Sequence, residues 1–295
     1  MHTDWRTIEA AISKVAGRSF TASVREPVGG GCINSAYRLS DGVGAFFIKL
    51  NSAARLDMFE AEAQGLREMA DTGTVRVPHP VCHGEVGKTA YLVLEHLPLA
   101  GGSVHARTTL GRLLARMHRI EQPYFGWHRD NTIGSTPQIN TRSDEWVSFY
   151  RFHRLHYQYE LAARAGYRGR LRSDGERLLD GLDGFFSNYT PSPALLHGDL
   201  WGGNFAVTTV GEPVIFDPAS YYGDREADLA MSELFGGFGS EFYAAYGNEW
   251  PLDSGYPVRR TLYNLYHILN HLNLFGGSYL AQAQAMTARL LSEIR

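Results

Sequence analysis

The sequence predicts an α+β fold in two lobes, a small β-rich N-terminal lobe and a larger, mainly helical C-terminal one. Three observations carry this. Residues 19–97 string short β-type runs around a single helical segment. Near Pro98 the texture changes, and helical periodicity dominates from there to the end of the chain. Within the second part, two apolar strand-like runs bracket the polar loop "HGDLWGGN", residues 197–204, a composition that serves a site better than a core.

The elements follow in order. "DWRTIEAAISKVAG" reads as an amphipathic helix, with Trp5, Ile8, Ile12 and Val15 near helical spacing. "SFTASVREPV", "SAYRLS" and "GAFFIKL" are β-type runs; glycines separate the first two and "DGVG" makes a hairpin turn between the last two. "RLDMFEAEAQGLREMADTG" has helical period and a Gly stop. "VPHPVCHG" is held extended by its prolines, and "TAYLVLEHL" is an apolar strand. The N-terminal lobe, residues 1–97, thus reads β-β-β-α-β-β after its first helix. In the C-terminal lobe, residues 98–295, "HARTTLGRLLARMHRI" is helical. Residues 122–142 form a long polar loop, a length that usually serves function. Long helices are expected over 143–166 and 171–188, and a mostly helical remainder from Arg225.

Composition narrows the function classes. With 295 residues, 44% of them hydrophobic, the chain can bury a substantial core without staples. A net charge of -3 argues against a dedicated nucleic-acid binder. Two cysteines, Cys32 and Cys82, make neither a disulfide framework nor a zinc pattern. The N-terminal segment lacks the apolar run of a secretory signal, and no run is long enough to span a membrane. A soluble cytoplasmic protein, monomeric for preference and without nucleic-acid or membrane partners, is the expectation.

The chemistry concentrates in "LLHGDLWGGNFAV" and "PVIFDPA". Asp199 and Asn204 stand in the spacing D-x-x-x-x-N, and Asp217 follows eighteen residues after Asp199 at the end of a strand-like run. Phosphoryl transfer needs a positioned hydroxyl, a held Mg²⁺ and neutralised phosphate charge. A loop carboxylate, Asp199, can orient the hydroxyl and accept its proton. The Asn204 amide oxygen and the Asp217 carboxylate are the oxygen ligands a hard cation prefers. His197 suits a bracing role. Either feature alone is an ordinary turn or helix cap; their joint occurrence is not.

The N-terminal lobe supplies matching parts. "VGGGCINSAYRL" puts Gly29, Gly30 and Gly31 between two strands, where backbone N–H groups can approach phosphate oxygens. The pattern is incomplete, since Asn34 stands where a final Gly would be. Lys49 lies mid-strand among apolar residues, costly unless paired. Glu62, thirteen residues on, is a candidate partner, as are Glu60 and Glu68; a Lys49–Glu62 pair on the nucleotide phosphates reproduces the kinase pattern. Two decoys fail. "GKT" at 87–89 lacks the upstream Gly of a phosphate-binding loop and precedes a strand. His267 and His271 in "HILNH" lack the Glu of a zinc hydrolase and read as core or surface residues. No A-P-E segment follows Asp217, so a small-molecule acceptor is indicated; Asp228 is expected to cap or buttress the next helix.

"GGGCINSAYRL", "FIKL", "MFEAEAQGL", "YLVLEHLPL", "FGWHRDNTIGSTPQIN", "LLHGDLWGGN" and "IFDPASYYGDREADLAM" together resemble the fructosamine 3-kinase (ketosamine 3-kinase) family, related in fold to aminoglycoside and choline kinases. The resemblance covers about residues 28–235, and "HGDLWGGN" and the 125–140 loop are its most specific pieces. It implies a bilobal protein-kinase-like fold and ATP-dependent phosphorylation of the 3-hydroxyl of a ketosamine, free or protein-bound, in deglycation repair. It also implies Asp199 as catalytic base, Asn204 and Asp217 as magnesium ligands, Lys49 and Glu62 on the phosphates, and Glu95, His96 and Leu97 as the adenine-facing connection between lobes. The family's Arg-Leu-x-x-Gln motif reads "RLHYQ" here, Arg154 to Gln158.

At the acceptor, Trp201 is placed either against a sugar face or beneath its own loop. Asp130, Asn131 and Gln138 are candidates for lining or capping the acceptor pocket. Trp146, Phe149 and Tyr150 fit a core. Cys32, inside the glycine turn, is a candidate redox-sensitive thiol or an inert turn residue. The rivals are an aminoglycoside or choline kinase, whose cationic acceptor wants clustered acids such as Glu233, Glu241, Glu249 and Asp253, and a non-catalytic pseudokinase, against which the intact Lys49, Asp199, Asn204 and Asp217 speak.

Overall fold

A computed structural model describes residues 3–29 and 33–294. The N-terminal lobe is a five-stranded antiparallel sheet of order β1-β2-β3-β5-β4, built from β1 (Val24–Val28), β2 (Ser35–Ser40), β3 (Ala45–Ser52), β4 (Pro80–Val86) and β5 (Thr89–Glu95). Helix α1 (Trp5–Ala16), capped by the Asp4 side chain, packs on one face, and α2 (Leu56–Asp71) on the other. Alternation along β3 decides what each face receives. Ile48 and Leu50 join Ile8, Ile12 and Phe20 under α1, whereas Phe47 and Lys49 point toward the α2 side. The "DGVG" turn forms as expected, with Asp41 Oδ1 accepting from the Val43 and Gly44 N–H groups.

β6 (Leu99–Ala100) leaves that sheet and pairs with a strand of the second lobe. There follow α3 (Val104–His118), the hairpin β7 (Asn131–Ile133) and β8 (Thr136–Gln138), α4 (Trp146–Tyr150), α5 (Tyr157–Arg164), α6 (Arg170–Asp180), and the short strands β9 (Ala194–Leu196), β10 (Phe205–Thr208), β11 (Pro213–Ile215) and β12 (Tyr221–Gly223). Four helices finish the chain: α7 (Glu226–Leu234), α8 (Ser240–Glu249), α9 (Tyr256–Phe275) and α10 (Leu280–Glu293). Helix α9 runs through the centre, buried along most of its length. Helices α3 and α8 lie close together because Gly111 has no side chain; a Cβ there would sit 2.3 Å from the Phe242 carbonyl oxygen.

Three elements differ from expectation. The loop 122–142 carries the β7–β8 hairpin. The helix expected from 143 starts at Trp146 and passes through a π-helical turn, Arg151–His156. That widened turn buries Arg154, whose guanidinium donates to Ile139 O and Asn140 Oδ1 and lies over Tyr221. The helix expected to reach 188 stops at Asp180, before Gly181, and continues as a short 3₁₀ segment. Trp146, Phe149 and Tyr150 are core residues. No described helix is long and apolar enough to cross a membrane.

Candidate active site

A cavity of about 910 Å³ lies between the sheet of the first lobe and the short strands and α9 of the second. Its floor is made by two connections. One is the β9–β10 loop, which carries Asp199 and Asn204. The other is the end of β11, which carries Asp217. The β10–β11 register pairs Phe205 with Ile215, and the Phe216 N–H donates to Asn204 O at 3.1 Å, so residues far apart in the motif become neighbours. Asp217 is the single non-glycine residue among the described ones with positive φ, at 58°. Such strain persists where the surroundings over-determine it, as at functional sites.

The loop under Asp199 is held from both sides. His197 Nε2 donates to Phe216 O at 2.9 Å, and its Nδ1 accepts from the Asp199 N–H at 3.2 Å. Asp228, from α7, accepts from the His197 N–H at 2.7 Å, the Gly198 N–H at 2.8 Å and His118 Nε2 at 3.1 Å. Burial disfavours the Asp228 charge, but the His118 hydrogen bond and the neighbouring His118 and His197 outweigh it and hold its pKa below the usual carboxylate range. Asp228 therefore buttresses the loop rather than capping its helix. Gly198 cannot be replaced: at φ 81°, a Cβ would meet the Ala219 carbonyl oxygen at 2.1 Å.

Asp199 borders the cavity. Burial raises its pKa to about 7 against the opposing hydrogen bond from Asn204, with Asp217 and Asp228 adding repulsion. Asn204 Nδ2 donates to Asp199 O at 2.8 Å and Oδ2 at 3.1 Å. This leaves the Asn204 amide oxygen and Asp217 Oδ2 with no hydrogen-bond donor among the described residues. Two carboxylates and an amide oxygen facing one space fit a hard divalent cation that takes its other ligands from phosphate and water. Among the described residues no three His, Cys, Asp or Glu side chains converge into a metal-holding group.

Lys49 is 4% exposed and spans the lobes. Its Nζ donates to Glu62 Oε1 at 2.5 Å and also to Asp217 Oδ1. Burial works against its charge, but Asp217 and Glu62 outweigh it and raise its pKa; Glu62, desolvated and sharing one lysine with Asp217, is also raised. The partner left open by sequence is Glu62: Glu60 pairs with Arg129, and Glu68 accepts from Trp127 and Tyr222. At the same end Ala36, Phe47, Leu94, Leu97, Val214 and Phe216 form apolar walls, with Glu95 and His96 beside them. The Glu95 carboxylate itself is tied to Arg76 Nη2 at 2.5 Å and to the His79 N–H. Gly29 lines the cavity, whereas Gly30, Gly31 and Cys32 lie outside the described residues, and with them the phosphate-grip and thiol expectations.

The acceptor end corrects the sequence reading. Gln138 is 1% exposed and absent from the cavity wall; its amide donates to Asn131 Oδ1 and Ala219 O and accepts from Tyr266. Asp130 accepts from the Asn140 N–H and also stands away from the wall. Asn131 borders the cavity, yet its amide is consumed by Ser220 O, Gln138 and Asn140. The polar groups of this loop hold its own hairpin together. Trp201 is 37% exposed on the wall, edge-on to Phe235 at 5.9 Å, and its indole also lies against Gly203 of its own loop, where a Cβ would come within 2.3 Å of the ring. Phe235, His267, Asn270, His271, Phe275 and Tyr279 complete this end, and sequence reasoning missed them. Only the helical spacing of 267, 271 and 275 on α9 hinted that they share a face.

The fold is that of the protein-kinase-like phosphotransferases, with the Lys–Glu pair on the small lobe facing the loop carboxylate and strand-end carboxylate of the large one. The model of the family described as fructosamine kinase matches residues 4–293, and the chain belongs to that family. A Synechocystis protein designated a ketoamine kinase is 49% identical over 288 residues, 97% of either chain. The chloroplastic protein-ribulosamine 3-kinase of Oryza sativa subsp. indica is 42% identical over 284 residues, 96% of this chain and 81% of the rice protein. The crystal structure of a Haemophilus somnus 129PT protein designated a fructosamine-3-kinase superimposes with a TM-score of 0.90 at 27% identity, covering 97% of both chains.

Proposed function

We propose that this chain is an ATP- and Mg²⁺-dependent ketosamine 3-kinase. It transfers the terminal phosphoryl group of ATP to the 3-hydroxyl of a fructosamine or ribulosamine adduct on lysine or another amine, a step toward removing the adduct. Residues 1–97 form its nucleotide lobe and 98–295 its catalytic and acceptor lobe. The observation that carries this reading is the convergence of Lys49, Asp199, Asn204 and Asp217 on one cavity between the lobes of a fructosamine-kinase family member.

Each group has a task set by its environment. Asp199 orients the acceptor hydroxyl and takes its proton, a role that a pKa near 7 in the free protein suits. Asn204 and Asp217 would hold the magnesium ion, which when bound neutralises charge on the phosphates. Lys49 exchanges Asp217 for phosphate oxygens while Glu62 keeps it in place. The backbone of Glu95 to Leu97 meets the adenine edge within the apolar walls.

Polycationic acceptors are disfavoured by the same wall. Glu233, Glu241, Glu249 and Asp253, the acids an aminoglycoside site would need, pair instead with Arg260, Arg107, Arg116 and Arg259 and do not line the cavity. The test is phosphate transfer from ATP to a panel of fructosyl- and ribulosyl-lysines, kanamycin and choline, with the product position fixed by NMR. Transfer to ketosamine O3 is expected. Transfer to kanamycin or choline in its place overturns the reading.

A further inference from the structure

Among the described residues, five buried side-chain polar atoms lack a partner, on Arg154, Ser220, Asn264, His267 and Asn273, and of these residues His267 alone lines the reaction cavity; its Nδ1 is sealed off, and its Nε2, which also has no partner, is the ring nitrogen left accessible. His267 is 4% exposed, on the face of α9 that borders the cavity. An unpaired buried ring nitrogen is costly, and native folds rarely carry one without a use. Apart from His271 Nε2, which has no partner among the described residues, the neighbouring polar groups are committed. His271 Nδ1 donates to His267 O at 2.7 Å, and its ring packs among Phe235, Phe275 and Tyr279. Asn270 accepts from Gln158 and donates to Ile133 O. Asn131 is spent on the β7–β8 hairpin. The acceptor end therefore offers aromatic surface and one nearly fully buried, uncommitted imidazole in the same cavity as the proposed base.

From this juxtaposition of an unpartnered buried imidazole, an aromatic wall and Asp199 in one cavity, we propose that His267 is a specificity-determining residue that hydrogen-bonds a sugar oxygen next to the reacting hydroxyl. The inference rests on the ketosamine kinase reading above and adds the residue that tells one polyhydroxy acceptor from another. Burial lowers the His267 pKa to about 3, with His271 adding to the shift. The ring is thus neutral in any ordinary assay and offers one N–H and one lone pair, which match a hydroxyl or carbonyl oxygen rather than a charged group. Aromatic neighbours such as Trp201 and Phe235 cover the apolar face of the sugar and exclude water, so the hydrogen bond gains discrimination.

The experiment is steady-state kinetics of the full-length wild type, His267→Phe and His267→Gln, with ATP and a fructosyl- or ribulosyl-lysine, and with the same acceptors lacking the 4-hydroxyl or other single hydroxyls. His267→Phe is expected to raise KM for the ketosamine roughly ten- to a hundredfold, with KM for ATP and the melting temperature near wild type. His267→Gln, which keeps a donor and an acceptor, should recover part of the loss. One deoxy acceptor should be used equally well by wild type and His267→Phe, which identifies the oxygen. An unchanged ketosamine KM in a folded His267→Phe protein, or an equal penalty on every deoxy acceptor, overturns the inference. A wild type that phosphorylates no ketosamine overturns instead the reading beneath it.

Discussion

The two ends of the cavity are built on opposite principles. At the nucleotide end every buried charge has a partner: Lys49 with Glu62 and Asp217, Asp199 with Asn204, Asp228 with the loop N–H groups and His118. At the acceptor end there are rings, small committed amides and one buried imidazole with no ring partner among the described residues. The difference is physical. Charges in low dielectric are tolerated only at fixed distances from their counter-charges, so their positions in the chain are constrained. An aromatic wall needs only surface and shape, and any element that reaches the cavity can supply it.

Four experiments sharpen that contrast. The largest effect is expected for Asp199→Asn: kcat should fall at least about a thousandfold while the melting temperature holds, because the base is lost and the side-chain volume kept. Retention of more than a tenth of wild-type kcat would refute its role as base. Next comes Lys49→Met. Activity should drop at least about a hundredfold, and stability by about 3 kcal/mol, since Glu62 is left buried without its counter-charge. The double change Lys49→Met with Glu62→Met should regain much of that stability and none of the activity. Chemical denaturation of the single and double variants measures the first claim, and turnover the second.

A third, smaller effect concerns the buttress. Asp228 has a folded pKa below its unfolded value, so its contribution is present above about pH 4 and disappears as pH falls through the folded value. Asp228→Asn should cost about 2 kcal/mol at pH 7, lower kcat by loosening the Asp199 loop, and flatten the acid side of the stability curve. An identical acid slope in both proteins would contradict the assignment. His267 acts in the same direction over a higher window: its folded pKa is depressed, so stability falls as pH drops below about 6.5. The smallest effect is Trp201→Ala. The residue is partly exposed, so stability should stay within about 0.5 kcal/mol, while KM for the ketosamine rises about tenfold and KM for ATP does not. A rise in KM for ATP alone would move Trp201 to the other end of the cavity.

Legibility followed the same division. Asp199, Asn204 and Asp217 stood out because a loop between two short strands fixes their spacing, and Lys49 because a lysine in an apolar strand demands a partner. Its choice among Glu60, Glu62 and Glu68 needed coordinates, since all three share one helix and only its packing angle against β3 selects a face. Asp130 and Gln138 misled for a related reason. Hydrogen-bonding groups on a polar loop look available in a sequence, and only the fold shows that Asn140, Ala219 and Tyr266 have already taken them.

The sequence by itself determined the two-lobe plan, the chemistry-bearing loop and the charges proposed to meet a phosphate and a cation. Those depend on local periodicity and on the cost of burying a charge, both written in short stretches of chain. Only the tertiary structure decided which glutamate holds Lys49, that Asp228 clamps the loop, and that the face of α9 bearing His267, His271 and Phe275 closes the acceptor end. Contacts between separate elements depend on how helices and strands pack, and no short window of sequence contains that geometry.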